Sequence, residues 1–454
     1  MKVKKILLII PKKHWYFIHK IIETINNHNI DLYMIEKEGI DKFSFNFLYK
    51  IIDEKFPLYC FSPLKIINIA ERSDNYCLLK TLDNHQYFDE IIDLSGSANF
   101  DFTKIAFKRI LKPNIDENYW EYCTINKIPK IIVSISASTD GIVWDTIKTL
   151  SFHTEEGIYN NRDKALFYFQ YLFKNFDFNE EIKSNTFHQS SKGKKKLKYY
   201  LNLVFCILKR KFNTSTLNWK LAFLHKDFSI KKLNNNKGEY WADPFMVNHD
   251  QSKFIFFEEI PLHTNKGIVS LLRLDQTNTI IEKKEILNKP FHLSFPNVFL
   301  HNQEYYMLPE QIESNQLTLY KATNFPYDWV EHHTIFKNKK AIDPSLVFHE
   351  GLYYLFTNIV EEYEFDNNER MSVFYTSDVL SGNWQPHAKN PVKIDKTSTR
   401  NAGNIYFENN EMIRLTQNCD PTYGFSTKKM KISKLSPTEF EEIEIEHMKF
   451  KNFE

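Results

Sequence analysis

The chain is 454 residues long, enough for two or three domains with ample cores, so it is not a small protein held together by staples. Its 59 Lys and Arg stand against 57 Asp and Glu, a balance that offers no global field to nucleic acid or to an acidic polymer. Aromatic residues abound, with 39 Phe, 24 Tyr and 7 Trp beside only 11 Gly, a mixture that suits strands carrying flat side chains. The five cysteines, Cys60, Cys77, Cys123, Cys206 and Cys419, are scattered and never form a Cys-x-x-Cys pair. Neither a disulfide framework nor a zinc site is signalled, and a reducing compartment fits. No stretch approaches the roughly 20 apolar residues of a membrane-crossing helix, and a cytoplasmic protein is expected.

Residues 1–178 alternate short apolar runs with helix-like segments: Val3–Ile10, then Tyr16–Asn26, then Ile30–Ile35, and later Ile91–Leu94. This rhythm predicts an α/β domain with an open sheet. The first run follows three lysines but is too short for a signal-peptide core and stops at Pro11. Residues 179–216 form a polar, basic linker around Ser190–Lys196 and then an apolar helix, Leu197–Phe212, flanked by lysines and Arg210. Through 194–212 such a segment could contact the anionic inner face of a membrane from the periphery. The alternative is a connecting helix between domains.

Residues 217–454 show an internal repeat. Four segments place a proline or glycine after a polar or aromatic residue, with an apolar strand nine or ten positions on. They are Ala242-Asp243-Pro244-Phe245, Ser294-Phe295-Pro296-Asn297, Ile342-Asp343-Pro344-Ser345 and Asn401-Ala402-Gly403-Asn404. The period is about 50 residues, as for a four-stranded propeller blade with its loops. Leu217–Leu233 is read as part of a further blade completed by Glu439–His447, which makes the expected C-terminal fold an all-β, five-bladed β-propeller.

In such a ring, residues at one offset of the repeat converge at a mouth of the central channel. That offset holds Asp243, Phe295, Asp343 and Ala402 beside Arg400. Two carboxylates and an arginine meeting there suit acid/base work on a sugar; the alternative for each Asp is an Asp-Pro turn closing the strand entry. The strands Phe257-Glu258-Glu259 and Leu308-Pro309-Glu310 end in acids, and Glu310 and Glu259 are taken as further catalytic candidates, against solvated strand ends. His292, Arg400, Asn401, Arg414, Gln417, Asp420 and Tyr423 are the candidates for holding sugar hydroxyls or a phosphate; the alternative is an ion-paired turn with Arg414 answering Asp420. No Asp-x-Asp, phosphate loop or His-Glu-x-x-His helix occurs, so neither a metal nor a cofactor is expected.

Trp241–Phe245, Phe257–Glu259, His292–Pro296, Tyr305–Glu310, Asp343–Ser345 and Gln417–Gly424 together resemble the N-terminal domain of plant glucosamine inositolphosphorylceramide transferase and its bacterial relatives. That resemblance implies five blades, similar to those of arabinanases and xylosidases, and a glycan-related task. It also implies a base role for Asp243 and a pKa-setting role for Asp343. The place of those glycosidases' acid Glu reads Arg400-Asn401-Ala402-Gly403 here, which favours transfer or binding over hydrolysis unless Glu310 or Glu259 donates the proton. The first domain resembles the formyltransferase fold through Ile91–Gly96, Ser138–Gly141 and Asn160–Asp163. Asp140 fits that family's Asp, but no Asn-x-His lies between Ser97 and Trp120, so a degenerate domain is expected. The expected function is sugar transfer in surface polysaccharide or glycolipid assembly, on a glycan or sugar-phosphate substrate. A furanosidase or xylosidase and a non-catalytic glycan-binding module are the alternatives.

Overall fold

The computed structural model describes residues 4–11, 30–37, 77–78, 87–94, 105–115, 117–155 and 158–174, and then 219–224, 230–233, 239–262, 266–360, 367–380 and 383–448, with positions 21, 22, 25 and 264 besides. Two compact units result, Met1–Thr214 with Tyr363–Phe365, and Ser215–Glu362 with Asp366–Glu454. The linker and basic helix expected at 179–216 lie outside the described residues. Among the described residues no helix is long and apolar enough to cross a membrane.

In the first unit seven strands form one open sheet: β1 (Lys4–Pro11), β2 (Ile30–Lys37), β3 (Cys77–Leu78), β4 (Tyr87–Asp93), β5 (Ala106–Pro113), β6 (Lys130–Ser138) and β7 (Asp145–His153), in the order β3-β2-β1-β4-β5-β6-β7. Pairing is parallel from β3 to β5 and antiparallel from β5 through β7. The apolar run of β1 is buried along Ile6–Ile10, as expected for a central parallel strand covered on both faces. Helices α1 (Glu117–Ile125) and α2 (Ile158–Lys174) follow β5 and β7. Asn161, in the first turn of α2, donates to Thr124 Oγ1 (2.8 Å) and to the Glu155 carbonyl (2.9 Å). Asp140 is spent on its own loop, its Oδ1 accepting the amides of Ile142 (2.7 Å) and Val143 (2.9 Å).

The second unit is all β and propeller-like, built of four antiparallel blades and a small ribbon. The ribbon is β8 (Ala222–Leu224) with β9 (Ile230–Lys232). Blade one is β10 (Tyr240–His249), β11 (Ser252–Ile260), β12 (Ile268–Leu274) and β13 (Ile280–Leu287). Blade two is β14 (Ser294–His301), β15 (Glu304–Glu310), β16 (Gln316–Asn324) and β17 (Asp328–Lys337). Blade three is β18 (Lys340–His349), β19 (Leu352–Val360), β20 (Arg370–Thr376), β21 (Gln385–Pro386) and β22 (Lys393–Ile394). Blade four is β23 (Arg400–Glu408), β24 (Glu411–Asn418), β25 (Ser426–Leu435) and β26 (Phe440–Met448). Residues 439–447, expected to complete a fifth blade, instead form the outer strand of blade four, because β26 pairs with β25 along its length.

Each blade buries a face against the next, which a lone sheet could not do. Phe245 and Phe256 of blade one share a core with Val298, Met307 and Trp329 of blade two; Leu308 and Phe336 pack on Leu355 and Phe374; Phe356 and Val373 pack on Ile405 and Ile432. The inner strands β10, β14, β18 and β23 adjoin in series, and β23 returns to approach β10. Leu221 and Leu233 of the ribbon cover Trp241, Ile255 and Leu272 on the remaining face of blade one.

One backbone device recurs in every inner strand. The register with the second strand slips between Ala242 and Phe245, Ser294 and Asn297, Ile342 and Ser345, and Asn401 and Ile405. At the slip sit Asp243 (φ 49°), Phe295 (φ 46°), Asp343 (φ 46°) and Gly403 (φ 143°). Asp tolerates the left-handed region through local hydrogen bonding, and Pro, having no amide hydrogen, sits at a bulge without losing a ladder bond. Phe295 has neither excuse, and its strain of about 1–3 kcal/mol is offset by burial edge-on against Phe245, ring centres 4.8 Å apart. At the far end each inner strand turns through two positive-φ residues, Asp250-Gln251, Asn302-Gln303, Glu350-Gly351 and Asn409-Asn410, the tight hairpin whose twist matches that of the strands. The histidine before the turn meets a tyrosine of the next blade: His249 Nδ1 lies 3.2 Å from the Tyr305 hydroxyl and His301 Nδ1 lies 2.7 Å from that of Tyr353.

Blade four is pinned from within. Arg414 is fully buried and donates from Nε and Nη2 to Glu442 (2.9 and 2.6 Å), from Nη1 to Asn401 Oδ1 (2.9 Å) and from Nη2 to the Ser398 carbonyl (2.7 Å). Taking away one member of a buried, fully bonded ion pair strands the other charge. Arg414→Met should therefore lower the unfolding free energy by about 3–5 kcal/mol in urea titrations; an unchanged midpoint would mean that the pair holds nothing together.

Candidate active site

The bulges bring the starts of the inner strands to one mouth, where a cavity of about 560 Å³ opens. Asp243 enters from the bulge of β10 and Asp343 from that of β18. Glu258 and Glu310 end the second strands of blades one and two at matching places, opposite Ala242 and Ser294. Arg400 begins β23, opposite Gln417 of β24. His292, in the loop before β14, and Tyr423, in the loop after β24, complete the lining with Trp219. Gly424 (φ +66) lets the Trp219 ring approach so closely that a Cβ there would lie 2.6 Å from Cη2, and the Trp219 and Tyr423 rings meet edge to face at 6.2 Å.

Asp343 is the organiser. Only 2% exposed, its Oδ2 accepts from Arg400 Nε at 2.6 Å and from Gln417 Nε2 at 3.3 Å. Its carbonyl accepts from Asn401 Nδ2 at 2.7 Å, and its amide donates to Glu310 Oε2 at 2.7 Å. Arg400 also donates to Asn368 Oδ1 (2.8 Å) and lies 5.3 Å from the centre of the Tyr423 ring. The guanidinium is thus answered before any ligand arrives. Burial pushes the Glu310 carboxyl up to about 8, and the nearby Asp343 charge raises it further than Arg400 lowers it. Asp243 is raised well above the usual range, first by burial and then by the charges of Glu258, Asp343 and Glu310.

His292, Arg400, Gln417 and Tyr423 line the same cavity as Asp243, Glu310 and Asp343; four other candidates lie elsewhere. Glu259 is on the opposite face of β11 from Glu258, since successive strand residues alternate, and its Oε1 is 2.5 Å from Lys283 Nζ. Arg414 is consumed by Glu442 rather than by Asp420. Asn401 is fully buried behind the cavity, donating to the carbonyls of Asp343 and Phe356. Asp420 is exposed on its turn, outside the lining. Among the described residues no group of three or more His, Cys, Asp or Glu is arranged to hold a metal ion. Sequence reasoning ranked Glu259 over Glu258 and passed over Trp219 and Gly424. The repeat held a signal for Glu258, which follows the bulge residue Asp243 at the same spacing as Glu310 follows Phe295.

Residues 223–453 match the family described as glucosamine inositolphosphorylceramide transferase 1, N-terminal. The glucosamine inositolphosphorylceramide transferase 1 of Arabidopsis thaliana is 35% identical over 209 residues, which are 45% of this chain and 27% of that protein. That of Oryza sativa subsp. japonica is 34% identical over 207 residues, 45% of this chain and 28% of that protein. The chain therefore spans little more than a quarter of the length of these curated relatives. Among solved structures, a family 117 glycoside hydrolase of the marine bacterium Zobellia galactanivorans aligns with 11% identity and a TM-score of 0.38 over 50% of this chain and 75% of its own. An exo-β-1,3-galactanase of Phanerochaete chrysosporium aligns with 11% identity and a TM-score of 0.36 over 47% of this chain and 53% of its own. With all four blades inside the matched span, the chain belongs to the family of the N-terminal part of glucosamine inositolphosphorylceramide transferase.

Proposed function

We propose that this protein takes part in sugar transfer for glycolipid or surface-polysaccharide assembly, and that the propeller cavity is where a glycosyl unit is held and reacts. The observation that carries this reading is the composition of the mouth. Asp243, Glu258, Glu310 and Asp343 face one space together with Arg400, and the aromatic rings of Trp219 and Tyr423 offer flat, apolar surface of the kind that covers sugar C–H faces. Carboxyls whose environments set their protons apart are the equipment of acid/base chemistry at a glycosidic carbon. Burial and the neighbouring carboxylates raise Asp243 well above the usual carboxylate range and Glu310 to about 8, so either suits the protonation of a leaving oxygen. Asp343, already bonded to Arg400 and Gln417, orders the site.

The same charges argue for the kind of substrate. Arg400 is neutralised by Asp343 and Arg414 by Glu442, while the exposed Lys220 is the other Lys or Arg in the lining. A phosphate or nucleotide diphosphate would meet an excess of carboxyls, so the reading narrows to an uncharged glycan end, with any sugar phosphate bound elsewhere in the assembly. The ribbon β8–β9 supports a five-fold ring in which it stands in the fifth place, since it covers the remaining face of blade one while Trp219 touches Tyr423 of blade four. The first unit's open, mostly parallel sheet is in keeping with a formyltransferase-like domain that has lost its chemistry.

Saturation-transfer NMR should detect neutral oligosaccharides on the wild-type protein and lose them with Tyr423→Ala, with no competition from uridine or guanosine diphosphate sugars; competition by the nucleotides would overturn the substrate class. In cells, Asp243→Asn or Glu310→Gln should cut glycan product by about 10²–10⁴-fold, and intact product from a stably folded variant would leave only a binding role. Loss of the Glu310 proton also sets a pH limit. Because the folded protein binds that proton more tightly than the unfolded chain, stability falls as pH rises from about 4.5 towards about 8. Turnover should fail through the same upper limit, and thermal melts of Glu310→Gln should lose this slope.

A further inference from the structure

We propose that Gly267 and His292 together make Glu258 the proton acceptor of the cavity, leaving Asp243 to enter as proton donor, an assignment that rests on the sugar-transfer reading above. The reasoning begins at a backbone amide. Gly267 N donates to His292 Nδ1 at 2.9 Å, and a backbone amide can only donate, so Nδ1 carries no proton. The ring's proton is therefore on Nε2, which lies 2.9 Å from Glu258 Oε1. The amide thus selects the tautomer that points a hydrogen-bond donor at one carboxylate in the cavity.

The clamp is tight on every side. The Leu293 amide donates to the Gly267 carbonyl at 3.0 Å, and the His292 amide donates to Glu313 Oε2 at 3.0 Å. A side chain at 267 has no room, because a Cβ would lie 2.5 Å from the Leu293 carbonyl oxygen and 2.7 Å from His292 Nε2. The groups facing the imidazole are all acidic: Glu258 of β11, Glu310 of β15 and Glu313 of the short turn Ile312–Ser314, with Asp243 of β10 beyond Glu258. The bond to Glu258 outweighs burial and pulls the ring above the ordinary histidine value, and the position of the second proton decides whether that pull can be answered. A second proton would have to sit on Nδ1 against the Gly267 N–H, and that collision keeps the ring neutral.

The Nε2–H donor is aimed at Glu258 Oε1, and Glu258's charge is, after burial, the foremost cause that raises Asp243 above the usual carboxylate range. Asp343 is the poorer acceptor, since Arg400 and Gln417 both bond its Oδ2. In the step so assigned, the acceptor hydroxyl loses its proton to Glu258 as its oxygen bonds the anomeric carbon. The leaving oxygen takes the Asp243 proton as the old bond breaks. Glu258 ends neutral and Asp243 charged, with no proton gained or lost overall.

Nitrogen-15 NMR of the histidine-labelled chain should show His292 neutral and protonated on Nε2 from mildly acidic to neutral pH. A ring protonated on Nδ1 would overturn the assignment whatever the protein does to sugars, so this result separates it from failure of the sugar-transfer reading. In the pH profile of glycan product formation, His292→Ala should move the acidic limb upward by about one to two pH units, the worth of a hydrogen bond to a charged group. His292→Gln, whose amide can still donate, should restore most of that shift; if the Gln and Ala variants, both folded, share one profile, His292 only fills space. Gly267→Ala should lose the Nε2–H signature even where the fold survives, and its retention would also count against the clamp.

Discussion

The left-handed residue in each inner strand is the constraint on which the propeller mouth depends. A regular strand would send successive side chains alternately into the two flanking blades, leaving nothing to face the axis. The slip at Asp243, Phe295, Asp343 and Gly403 releases one residue per blade from that alternation. At Asp243 and Asp343 the released side chain reaches the cavity; at Phe295 it is buried against Phe245 instead; at blade four the bulge is glycine and Arg400 provides the function from three residues earlier in the strand. The ring is thus uniform in backbone and unequal in chemistry.

That inequality explains which features could be read from the sequence. The repeat of polar or aromatic residue, proline and apolar strand was legible because the bulge needs residue types that tolerate positive φ or lack an amide hydrogen, and such residues are scarce enough to stand out. The convergence of Asp243, Asp343 and Arg400 followed from it. Apolar patterning along β11 did not separate Glu258 from Glu259, because the strand's parity is set by its pairing with a bulged partner and a one-residue slip exchanges faces; only the shared spacing from Asp243 to Glu258 and from Phe295 to Glu310 marks the right acid. Arg414 was misread for another reason. Its partner Glu442 stands in the outer strand β26, which the sequence seemed to offer to a different blade, so the nearby Asp420 looked like the available acid.

Charge separates the two arginines more than position does. Arg414 makes four hydrogen bonds and meets no solvent, so it is part of the core of blade four. Arg400 shares the same blade and is nearly as buried, yet it touches Asp343, Asn368 and the Tyr423 ring at the cavity wall. Because its charge is answered within the wall, its effect on a ligand is indirect: it keeps one of four carboxyls committed while the others share too little positive charge to ionise together. A cavity built this way stores protons where a phosphate-binding site would store cations.

Proton storage alone does not give direction, since two equivalent acids cannot be donor and acceptor. Direction requires an element that distinguishes them and does not itself titrate in step with them. A backbone amide meets that need, because it has one proton, a fixed position and no second state. Gly267 occupies that position behind His292, and the Cβ contact distances explain why no larger residue could stand there. The asymmetry of the carboxyl cluster thus traces to a loop glycine outside the repeat. A reading based on the repeat alone could find the acids but had no means of ranking them.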